Sequence, residues 1–101
     1  MNYDLAQQLR DAGFRQGGKG SWVFPPGALL ARANDRVYLP TLSDLMEACG
    51  DFFHALRHPA QGGWQAFSVI DREGVMETGT GETPEEAVAR VWLALRAKRR
   101  V

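Results

Sequence analysis

The sequence predicts a single α+β domain over residues 1–101: an antiparallel sheet, built from a three-stranded meander plus one or two short N-terminal strands, with helices packed on one face. Three observations carry that expectation. Helix start and stop signals recur three times, most fully at Thr83-Pro84-Glu85-Glu86. Three β-prone runs in the second half are joined by connections too short for anything but antiparallel neighbours. A chain of 101 residues suffices for one hydrophobic core but not for two.

In chain order, Leu5, Ala6, Leu9 and Ala12 fall on one helical face, so residues 3 to 12 form the first helix. Gly13 ends it in a left-handed cap, with Phe14 folding back on Leu9. Arg15 to Gly20 carries three glycines and two cations and reads as a loop feeding a strand at Ser21-Trp22-Val23-Phe24. Pro25-Pro26-Gly27 ends that strand, since neither proline can donate to a ladder. Ala28 to Ala33 fits a short helix or a strand equally, Asn34-Asp35 is a turn, and Arg36 to Leu39 is extended.

The second helix begins with Thr41 as cap and Asp44 three residues on. It carries Leu42, Leu45, Met46 and Cys49 on one face and stops at Gly50. Phe52 to Arg57, Gly63 to Ile70 and Gly74 to Thr78 are the meander strands, turned by Pro59-Ala60-Gln61-Gly62 and Asp71-Arg72-Glu73-Gly74. Gly79 to Thr83 is a connecting loop. The last helix has Thr83 as cap, Pro84 at its first position and Glu86 reaching back to the cap amide, then Val88, Val91, Trp92 and Leu95 as an apolar stripe. Its acids (Glu82, Glu85, Glu86) and bases (Arg96, Lys98, Arg99, Arg100) complement the helix dipole. Trp22, Trp64 and Trp92 are each expected to bury a large area between helices and sheet.

Composition narrows the function classes. At 45% hydrophobic and 24% charged the chain is globular, and 12 bases against 12 acids leave no net field to draw nucleic acid or anionic lipid. No apolar run approaches bilayer length, and Met1-Asn2-Tyr3-Asp4 lacks signal-peptide character, so no membrane partner is expected and the localisation expected is cytoplasmic. The one cysteine, Cys49, offers neither an intrachain disulfide nor a thiolate zinc site. Lying on the apolar stripe of the second helix, it reads as an inert buried thiol.

Several patterns invite chemistry, and each has a plainer structural account. Gly13, Gly18 and Lys19 reproduce most of a phosphate-binding loop, but Gly20 replaces the required Ser or Thr. A helix precedes and a strand follows, the reverse of the order that aims helix amides at phosphate. Gly79 to Thr83 stands at a true helix start, yet Glu82, Glu85 and Glu86 would repel an anion there. His54 and His58 lie on a segment read as extended, roughly 13 Å apart, too far to share one metal ion. Neither cofactor nor metal is expected, and no catalytic constellation appears. Nucleic acid is disfavoured as a partner, with Arg96, Lys98, Arg99 and Arg100 its one route.

Two segments resemble a known family when taken together: Val37-Tyr38-Leu39-Pro40-Thr41-Leu42-Ser43-Asp44-Leu45-Met46-Glu47-Ala48-Cys49-Gly50, and Thr83 to Leu95. They are similar to small uncharacterised proteins of tailed phages, prophages and bacterial genomes that read approximately "YIPTLSELIEACG" and "TPEEAVARLWLAL". Leu5 to Phe14 also looks like the start of such proteins. The resemblance implies a phage-like context, with host cytoplasm as the compartment, and supplies no catalytic or binding residues.

The leading expectation is therefore a non-catalytic accessory protein that binds a host protein, such as an inhibitor of a host defence system of the CRISPR kind. The alternatives are an oligomeric binder or sponge for a small nucleotide-like ligand, motivated by Arg15, Lys19 and Trp22 beside the glycines, and a nucleic-acid-associated accessory protein. A homodimer fits so small a core. Loops and the meander vary most among such sequences, which adds Trp64 and Arg72 to Arg15, Lys19 and Trp22 as candidate ligand- or partner-binding residues.

Overall fold

A computed structural model describes residues 1–27 and 35–101. The Ala28 to Ala33 segment and Asn34 of the expected turn lie outside the described residues. Elements run α1 (Tyr3–Asp11), β1 (Ser21–Val23), β2 (Val37–Leu39), α2 (Leu42–Cys49), a 3-10 turn (Gly50–Phe52), β3 (Phe53–Arg57), β4 (Trp64–Ser68), β5 (Thr78–Gly81) and α3 (Pro84–Ala97). The architecture is α+β, with three helices and two antiparallel sheets among the described residues.

Helix ends follow local chemistry. Asn2 caps α1 by accepting from the Leu5 amide, and Gly13 adopts φ +93°. That conformation lets the Phe14 and Gly13 amides reach the Leu9 and Arg10 carbonyls at 2.8 and 2.9 Å, a Schellman closure. Thr41 and Asp44 form a full capping box on α2. On α3, Thr83 accepts from the Glu86 amide as expected, but Glu86 returns its carboxylate to the amide of Glu82 rather than to that of the cap. Glu86 also faces the Met1 ammonium at 3.6 Å and the Arg90 guanidinium at 3.9 Å.

The meander order is β3-β4-β5, with Ala55 opposite Phe67 and Ala66 opposite Gly79, and a register irregularity between Phe53 and Ala55. Most boundaries differ from expectation by one or two residues, and one departs further. The third strand is Thr78–Gly81, not Gly74 to Thr78, so Gly79 to Gly81 belong to the sheet instead of to a loop. Their glycines serve the approach of α3. A Cβ on Gly79 would overlap the Ala87 carbonyl and stand 2.9 Å from Val91 N, and one on Gly81 would press on Glu86. The N-terminal strands do not extend the meander. They pair with each other in a separate hairpin, Trp22 opposite Tyr38.

α3 is the centre of the molecule, packing on β4 and β5 and against α2 and α1. Ala87, Val88, Ala89, Val91, Trp92 and Leu95 are all buried along it. Leu5, Leu9, Phe14, Tyr38, Leu45, Cys49 and Ala66 complete the core. The three tryptophans part company here: Trp92 is buried, Trp64 half-buried, and Trp22 is 41% exposed.

Candidate functional site

The N-terminal half is organised around one buried phenol. Tyr38 on β2 donates its hydroxyl proton to Asp44 Oδ2 at 2.5 Å and accepts from the Gly20 amide, while its own amide donates to Gln16 Oε1 at 3.0 Å. Asp44 Oδ2 also accepts from the Thr41 amide at 3.1 Å. Burial, reinforced by the bond to Asp44, pushes the Tyr38 hydroxyl above its ordinary value. Burial alone would raise Asp44 too. The bonds from Tyr38, from Thr41 and from the Lys19 amide outweigh it and hold the carboxyl below 3.8.

This knot explains the glycines of the loop before β1. A Cβ at Gly18 would stand 2.6 Å from Tyr38 Oη, and one at Gly20 would overlap the Leu39 carbonyl. The loop amides of Lys19 and Gly20 are bonded to Asp44 and Tyr38. A phosphate would find those donors spent and a carboxylate in its place.

Outside the knot lies an aromatic face. Trp22 sets its edge against Tyr38, centroids 5.6 Å apart, and the Arg36 guanidinium lies 4.4 Å from its ring centroid. Phe24, one residue beyond β1, is 48% exposed.

Two cavities carry mixed linings. One, of about 250 Å³, lies where the loop after α1 meets α2 and α3. Phe14 and Trp92 form its floor in an edge-to-face pair at 4.9 Å, and Arg15, Asp44 and Glu47 stand around it. The other, of about 240 Å³, sits beneath the β4 to β5 turn between Phe52, Val69, Val75 and Leu95. Asp71 there accepts from the Val75 and Glu73 amides and pairs with Arg100 at 2.9 Å. Chiefly through the Val75 bond, its carboxyl is held below the ordinary range.

The five residues singled out from sequence are dispersed. Arg15 lines the Phe14–Trp92 cavity, Lys19 a separate groove with Met1, Leu42 and Glu85, and Arg72 the cavity under the meander turn. Trp22 belongs to the hairpin, and Trp64 sits on β4 with its ring 4.4 Å from that of His58. Arg15, Lys19 and Trp22 therefore do not line one cavity. Sequence reasoning passed over Phe14, Glu47 and Trp92 as a group, and Arg36. Glu47 was legible as the residue three beyond Asp44 on one helix face. Arg36 was not, because only the hairpin register lays it over Trp22.

The C-terminal bases have structural work. Arg96 donates to the Ala12 and Val101 carbonyls, Lys98 pairs with Glu77, and Arg100 pairs with Asp71. Among the described residues Arg99 is the one of the four without such a side-chain contact, which thins the basic cluster a nucleic acid would meet. Cys49 is buried, and desolvation pushes its thiol up to about 11, away from reactive thiolate chemistry. His54 and His58 are both exposed, His54 on β3 and His58 just beyond it. Among the described residues no group of three His, Cys, Asp or Glu side chains could hold a metal ion, and no helix is long and apolar enough to cross a membrane.

Comparison of the chain with protein-family models, with curated proteins and with solved structures gave no match.

Proposed function

We propose that this chain is a non-catalytic binding protein that docks onto another protein through the Trp22, Phe24 and Arg36 face of the β1–β2 hairpin. One observation carries the reading: two large aromatics are left in solvent, and the tryptophan is already held by Tyr38 beneath and Arg36 above. Tryptophan, tyrosine and arginine dominate the energetics of protein interfaces. A ring fixed before contact loses little rotamer freedom on binding, so more of its buried area appears as affinity.

The likeness of the Val37 to Gly50 and Thr83 to Leu95 segments to phage and prophage proteins sets the context. In it the chain is an accessory protein of phage type, its partner is a host protein, and a component of a defence system such as a CRISPR effector is the target class. Phage plating on hosts that carry defined defence systems tests this. Expressing the chain raises plating in one such host, and Trp22→Ala or Arg36→Ala returns plating to the empty-vector level with circular dichroism unchanged. Plating that never changes, together with no host protein co-purifying with the chain, overturns the reading.

A further inference from the structure

The Phe14–Trp92 cavity holds opposite charges apart. Arg15 lies just past the Schellman turn that throws Phe14 onto Trp92, and Glu47 lies one helical turn beyond Asp44 on α2. Both side chains are exposed and line the same cavity. Neither makes a hydrogen bond or ion pair with any described residue, and they do not pair with each other. Asp44 differs, since its Oδ2 is already engaged by Tyr38 and Thr41. The cavity thus offers a guanidinium and a carboxylate, each without a hydrogen bond or ion pair among the described residues, beside an aromatic floor.

We propose that this cavity binds a small zwitterion with an apolar side chain, of the α-amino-acid class. Its carboxylate lies on Arg15, whose planar fork matches a carboxylate with two parallel bonds. Its ammonium lies by Glu47, and its apolar part covers Phe14 and Trp92. Size agrees with this class. At about 250 Å³ the space lies just below the roughly 300–1,000 Å³ usual for drug-sized ligands, a size that accommodates one amino acid. Charge agrees as well: two carboxylates against one guanidinium disfavour a phosphate but suit a ligand that brings its own cation. This site is separate from the hairpin face, so the docking reading can fail without it, and it without the docking reading.

Calorimetric titration of the full chain with L-leucine and L-phenylalanine tests the proposal, beside N-acetyl-L-leucine, which lacks the ammonium, and leucinamide, which lacks the carboxylate. The free amino acids bind saturably, and each blocked analogue binds about tenfold or more weakly, the scale of one lost charge-assisted hydrogen bond. Arg15→Ala removes the preference for leucine over leucinamide, and Glu47→Gln removes the preference for leucine over its N-acetyl form. Both residues are exposed, and unchanged circular dichroism shows that the fold persists. No saturable heat with any free amino acid up to its solubility overturns the proposal. Analogues that bind as well as leucine, or binding indifferent to both substitutions, overturn it equally.

Discussion

β5 and β1 are strands with opposite fates. By composition β1, Ser-Trp-Val, has strong strand residues, while two of the four residues of β5, Thr-Gly-Thr-Gly, are glycines, among the weakest. Yet α3 lies across β5 and buries Gly79, whereas Trp22 within β1 and Phe24 just beyond it are exposed. The Arg90 guanidinium reaches from α3 to the Thr80 carbonyl and covers part of the backbone of β5, a terminal strand of the meander. Cover here follows how closely two backbones can approach, not how well a strand's side chains fill a layer. A good strand residue left uncovered is then free for a partner, and a poor one kept in a strand marks where a helix lies.

The sharpest way to break that comparison is to fill the space α3 uses. Gly79→Ala forces a Cβ against the Ala87 carbonyl, a backbone atom that cannot swing aside. It should destabilise by about 3 kcal/mol, the upper end for overpacking, read from urea unfolding. A mutant as stable as the parent would mean that α3 sits farther from β5 than described.

The knot that supports the exposed hairpin is next. Tyr38→Phe strips the Gly20 amide of its acceptor and Asp44 of a donor, and should cost about 2 kcal/mol. Its pH signature is separate. Because the folded-state carboxyl of Asp44 lies below 3.8, its contribution is complete above that value and is lost as pH falls through the lowered one. Urea midpoints followed down to about pH 2 should show this acid limb, and Asp44→Asn should flatten it.

Two smaller effects refine the picture. α1 and α3 end in the same hydrogen-bond pattern, but α3 places Arg99 at φ +57° where α1 has Gly13. Arg99→Gly should therefore raise stability by about 1 kcal/mol, and a lower thermal midpoint would contradict that. Trp22→Ala gives up the contact with Tyr38, the Arg36 guanidinium over the ring, and the part of the ring they shield. It should cost only about 1 kcal/mol in thermal stability, and on the docking reading proposed above it should abolish capture of the partner.

Much of the fold was legible. Thr41 with Asp44, Thr83 with Pro84, and Gly13 before Phe14 mark helix ends by bonds between residues a few positions apart, which a linear sequence displays. The third meander strand was misplaced because Gly79 and Gly81 read as loop residues until β4 pairs with them and α3 fills the space above. Of the candidate site, Trp22 and Arg15 were singled out, but neither with the neighbours it has. Asp44 was legible as a capping residue. Its bond to Tyr38 was not, since that depends on β2 crossing the start of α2.

By itself, then, the chain determined its helices, its turns and its α+β class, because capping, turn formation and apolar periodicity act over a few residues. Tertiary structure alone decided which tryptophan would face solvent, which glycines would admit a helix, and which charges would share a cavity unpaired. Those outcomes depend on the distance between segments far apart in sequence, and only packing sets that distance.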